Sequence, residues 1–125
     1  MAALAKLPPA PKYLGPAARA EWRRAGGALV EGGKLTSGDL AMLESYCVQV
    51  GLTRDAAATI AREGLTVLGP KGAMIRHPAG GILRESTTAA RHLAAALGLT
   101  PSSRAKATAA PEGAKGPSND PLDLL

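Results

Sequence analysis

The residue types able to carry covalent or metal chemistry are scarce in this chain: one cysteine, Cys47, and two histidines, His77 and His92. A thiol becomes a nucleophile when a base stands within hydrogen-bond reach, and nothing in the spacing draws Cys47 toward either histidine. The same three residues lack the close ligand spacing of a zinc site. Gly69-Pro70-Lys71-Gly72 has the glycine and lysine of a phosphate cradle, but not the spacing of a P-loop, and no helix visibly follows it. A tight turn is the better reading. The residues therefore predict no catalytic group, no metal and no cofactor.

Charge is the chemistry within reach. Arg19, Arg23 and Arg24 fall on adjacent faces of one predicted helix, with Arg19 and Arg23 side by side at i and i+4. Such a stripe can meet phosphates; a solvated face balanced by Glu21 is the alternative. Lys34 sits in a glycine turn and Lys71 at a predicted hairpin tip, both suited to backbone contact with a polyanion. Arg76, Arg84 and Arg91 flank or lie on a later helix, and Arg104 and Lys106 follow it. Residues 1–106 hold 14 basic and 7 acidic side chains, whereas 107–125 hold Lys115 against Glu112, Asp120 and Asp123. A basic body with an acidic tail fits a polyanion for the first and a different partner for the second, although a net charge of +5 also serves plain solubility. The terminal Asp120, Leu122, Asp123, Leu124 and Leu125 look like a short peptide that orders on docking to a partner. With one Trp, two Tyr and no Phe, base stacking on single strands is disfavoured, so duplex DNA is the expected polyanion. Trp22 reads as a core or interface anchor.

The elements that must position these charges are mainly helical. Residues 1–14 read as a flexible or extended Pro-rich arm, 15–106 as a helical domain for DNA binding and oligomerisation, and 107–125 as a disordered tail ending in the docking peptide. Ala18, Trp22, Ala25 and Leu29 recur at helical spacing until Gly32 and Gly33 stop the helix. Thr36 is the expected N-cap of a second helix with Asp39 three residues on. Leu40, Leu43, Cys47 and Val50 mark its apolar face, and one long or kinked helix over 39–63 is predicted, with Gly51 the place for any bend. Leu65 to Leu68 and Ala73 to Arg76 form a small hairpin or ordered loop, which must lean on helices or on a neighbouring subunit. A third helix runs to Leu97, and Thr100 and Pro101 open a final turn. A core of about three helices built from small aliphatic residues is thin, which favours assembly into oligomers, through the second and third helices. The lone cysteine indicates a reducing compartment, and the prolines of the arm and the absence of a long apolar run predict neither signal segment nor membrane span.

The order of segments is itself informative. A Pro-rich arm precedes Glu21-Trp22-Arg23-Arg24, then Gly33-Lys34-Leu35-Thr36, Asp39 and Tyr46-Cys47; a hairpin, His77-Pro78 and Leu97-Gly98-Leu99-Thr100-Pro101-Ser102-Ser103-Arg104 follow. Over residues 8–106 this resembles the small-subunit family of tailed-phage terminases. The resemblance implies a mostly helical, ring-forming protein of the host cytoplasm that does no covalent chemistry. It would bind viral duplex DNA and deliver it to the large terminase subunit, the motor and nuclease. Two other readings stay open: a helix-turn-helix transcription regulator built on the first two helices, and a structural adapter that binds an acidic protein surface without DNA.

Overall fold

Residues 2–108 are described by the computed structural model, and over them the spacing of apolar residues decides what is buried. Helix α1 (Pro16–Glu21) passes through a π-helical stretch, Trp22–Gly26, into α2 (Gly27–Glu31), so that 16–31 is helical throughout. Pro16 opens it where a missing amide hydrogen is harmless. The expected stripe of Ala18, Trp22, Ala25 and Leu29 is the buried face. The helix ends in a Schellman arrangement: Gly33 at a φ of +67° donates to Val30, and Lys34 donates to Leu29 at 2.8 Å.

Thr36 caps the next segment as its sequence predicts. The Thr36 amide and hydroxyl both donate to Asp39 Oδ2, at 3.0 and 2.9 Å, ahead of a 3-10 turn, Ser37–Asp39, and helix α3, Leu40–Glu63. Gly51 does not interrupt α3. A Cβ there would lie 3.0 Å from Ala18 Cβ and 3.3 Å from the Ala18 nitrogen, so glycine is what lets α1 and α3 cross closely. Gly64 stops the helix at a φ of +94°, a backbone only glycine adopts freely.

Strands β1 (Thr66–Leu68) and β2 (Met74–Arg76) pair antiparallel, Thr66 opposite Arg76, Val67 opposite Ile75 and Leu68 opposite Met74. Helix α4 (Ala79–Leu97) then returns along α3. The pairing of His77 with Glu63 and of Thr53 with Ser86 shows the antiparallel sense, since position falls along one helix as it rises along the other. A second Schellman turn at Gly98 closes α4. Thr100 and Ser103 cap α5 (Pro101–Thr108) reciprocally.

The core is one cluster of Leu14, Ala18, Trp22, Ala25, Leu29, Leu35, Leu43, Tyr46 and Cys47, with Leu93 and Leu97 of α4 laid against it. Residues 2–14, expected as a flexible or extended arm, lie against this cluster as non-helical chain with a turn at 12–13. Leu4 donates to the Leu35 carbonyl at 2.7 Å, Trp22 Nε1 donates to the Pro8 carbonyl at 2.9 Å, and Leu7 fills the space over Gly26, where a Cβ would approach its Cδ1 to 2.6 Å. Prolines cannot donate, but their carbonyls accept, and the helix supplies the donors. The structure is mainly helical with a two-stranded sheet, as the pattern predicted.

Candidate nucleic-acid interface

The basic side chains divide into those bound inside the subunit and those facing outward. Arg19 is turned back on the arm, where its guanidinium donates to the carbonyls of Pro11, Lys12 and Leu14. Arg24 donates to Glu21 through Nε at 2.8 Å and through a second, close contact, although its side chain stays 63% exposed. Of the three arginines read as one stripe, Arg23 alone is exposed without an ion pair among the described residues. The π-helical stretch carries Arg23 and Arg24, and the insertion of such a turn changes which residues line up along the helix.

The residue that reorganises this face is Glu21, 1% exposed. It accepts from Tyr46 at 2.6 Å, from Arg24, and from Arg54 across the α1–α3 junction at 3.1 Å. Burial pushes its carboxyl up, but Arg24, the Tyr46 hydroxyl and Arg54 outweigh burial and hold it below the ordinary 4.5. The same site pushes the Tyr46 hydroxyl up to about 12, through burial and the Glu21 carboxylate. Arg54 was not among the residues singled out from sequence. Its contact lies 33 positions away, and no local pattern signals a pairing of that range.

Lys34, Lys71, Arg76, Arg84 and Arg91 are all exposed, and none makes an ion pair among the described residues. The acids are spent differently. Glu21 is enclosed, Asp39 caps a helix, Glu44 accepts from Tyr13 at 2.6 Å, and Glu63 pairs with His77 at 2.9 Å. Glu31, Asp55 and Glu85 remain exposed, so it is mainly the enclosure of Glu21 that makes the outward field more positive. Arg84 and Arg91, seven residues apart on α4, share a helix face roughly 10 Å apart along the axis. Arg104 donates to the Leu99 carbonyl at 2.9 Å. Lys34 stands on the Gly33 turn and Lys71 at the hairpin tip, as their sequence context predicts. The side chain of Lys106, and Asp120, Leu122, Asp123, Leu124 and Leu125, lie outside the described residues.

Of the residues first considered for covalent chemistry, one is buried, one is hydrogen-bonded and one is exposed. Cys47 is fully buried, and burial, with the nearby Glu21 charge, pushes its thiol up to about 12, far from the thiolate a nucleophile needs. His77 is held between Glu63 and the Ala79 amide; His92 is exposed on α4. Among the described residues no group of three His, Cys, Asp or Glu side chains is placed to hold a metal. No helix among them is long and apolar enough to cross a membrane.

Fold and surface together define a small, mainly helical, basic protein. Its family follows from comparison with known proteins: the model of the family described as phage terminase, small subunit, matches residues 18–114. The chain belongs to the phage terminase small-subunit family, as the order of its segments indicated, and so to the machinery of phage DNA packaging. No curated protein and no solved structure matches it.

Proposed function

We propose that this chain binds the duplex DNA of a phage genome as a homo-oligomeric ring in the host cytoplasm and delivers it to the large terminase subunit. It does so without covalent chemistry of its own. Family membership over residues 18–114 is the observation that carries the reading. The unpaired, exposed cations support it: Arg23, Lys34, Lys71, Arg84 and Arg91 face outward, while Glu21 is enclosed in the fold. With so few aromatic side chains to stack bases, the contact is with phosphates, which positions DNA with modest sequence preference. The acidic, leucine-rich end, Asp120 to Leu125, is the element that docks the large subunit.

Duplex binding measured against salt concentration tests the DNA role. Each phosphate contact contributes about 0.9 to the slope of log affinity against log salt, so Arg84→Gln with Arg91→Gln lowers the slope by about 2 if both contact phosphates. Failure to bind any duplex, with copurification of an acidic protein, would support the adapter reading instead. A dimeric mass with one defined operator would support the regulator. Deleting 120–125 should abolish large-subunit binding while sparing assembly and DNA affinity.

A further inference from the structure

Two apolar features of the subunit are uncovered, and their shapes are opposite. The hairpin is the convex one. Strand alternation puts Thr66, Leu68, Met74 and Arg76 on one face, where the cross-strand pair Leu68 and Met74 is 71% and 61% exposed. Looseness does not explain this exposure, because His77 donates to Leu65 at 2.9 Å at the base and Gly69 to Ala73 at 2.8 Å at the turn. Two strands alone are marginally stable in water, and a paired apolar face on a well-built hairpin marks a contact surface.

The concave feature is a groove between the start of α1 and the middle of α3, walled by Tyr13, Ala17, Val48 and Leu52, with Gly51 in its lining and Asp55 one turn further along α3. Tyr13 is fixed over it by its bond to Glu44. Roughly 18 Å of α3 separates Gly51 from the helix end that leads into the hairpin. Arg76, beside Leu68 and Met74, makes no ion pair among the described residues, and neither does Asp55 in the groove.

We propose that the Leu68–Met74 face of one subunit seats in the Tyr13–Leu52 groove of a second copy, with Arg76 placed on Asp55. Both surfaces are apolar, and each carries a charge of the opposite sign beside it, Arg76 on the hairpin and Asp55 in the groove. A patch that meets a different patch on its neighbour is a head-to-tail contact, which propagates from copy to copy and closes into a ring when the rotation allows. The inference rests on the homo-oligomer reading above and names the two surfaces that make it.

The test uses native mass measurement on the full chain, with circular dichroism to verify folding. Wild type should give a multi-subunit mass, and Leu68→Asp and Leu52→Asp, both at exposed positions, should each give monomers. Mixed one to one, the two variants should form a dimer and nothing larger, because only one intact hairpin meets one intact groove. In a second series, Asp55→Arg should reduce assembly and Arg76→Glu in the same chain should restore it. If wild type is oligomeric but Leu68→Asp keeps its full mass, or the mixture stays monomeric, the hairpin-in-groove contact is overturned and the homo-oligomer stands. A wild type monomeric across micromolar concentrations overturns both.

Discussion

The Tyr46 hydroxyl donates to Glu21 at 2.6 Å, and that bond joins the first turns of α3 to the last residue of α1 inside the core. Arg24 and Arg54 complete the carboxylate's partners from the two helices. A buried charge is tolerated because each of its oxygens is met by a donor.

Tyr46→Phe removes one donor without changing the packed ring. It should destabilise the subunit by about 1.5–3 kcal/mol, the range for hydrogen bonds to charged groups. Glu21→Gln and the double variant complete a cycle in denaturant melts. Non-additive costs are expected, since the two residues share one network; strictly additive costs would mean that the bond contributes nothing.

The same site sets the pH limits of stability. Glu21 is held below its ordinary value, so its contribution is complete above the unfolded carboxyl value and is lost as pH falls through the lower folded one. Tyr46 and Cys47 are raised to about 12; their contribution is complete below the ordinary 10.0 and 9.0 and is lost as pH rises toward 12. Stability against pH should therefore fall on both flanks. Glu21→Gln should flatten the acid flank, and Tyr46→Phe should make the alkaline one shallower while leaving the share that Cys47 contributes; unchanged flanks in those variants would locate the titration elsewhere.

Glycine to alanine should have opposite signs at two places in the chain. At Gly51 the new Cβ presses on the Ala18 backbone, and overpacking of this kind costs roughly 1–3 kcal/mol. At Gly80 it meets nothing, and alanine should stabilise α4 by about 0.5–1 kcal/mol. Thermal melts of the two variants, side by side, check both signs.

Trp22 is the single tryptophan, and its indole N–H is bonded to Pro8. Removing residues 1–8 should expose the ring, red-shift its emission and lower the melting temperature by several degrees, since about 1 kcal/mol corresponds to roughly 4–8 °C in a domain of this size. An unshifted spectrum would show that the arm does not cover the indole in solution.

Much of the fold was legible because its signals are local. Ala18, Trp22, Ala25 and Leu29 face inward as their spacing requires, Thr36 and Asp39 cap where their types predict, and Gly33 and Gly98 end helices at positive φ. Gly51 was open to two readings, bend or continuation. Its use, close approach to Ala18, depends on a neighbour far away in sequence. The seating of residues 2–14 was less legible for a similar reason, since its backbone carbonyls do the accepting and carbonyls leave no trace in residue type. The candidate interface was legible as a set of cations but not as a surface. Which of them remain outward depends on Glu21 drawing in Arg24 and Arg54, and on the arm carbonyls holding Arg19.

The way the arm is held has an evolutionary consequence. Trp22 and Arg19 grip it through main-chain oxygens at Pro8, Pro11, Lys12 and Leu14, which every amino acid carries. Side chains along the arm are thus free to drift only where they do not pack, since Leu4, Leu7, Ala10 and Leu14 still have to fill their places against the core. Related chains can differ at the arm's other positions and keep the same seat, so the geometry of this segment should outlast much of its spelling.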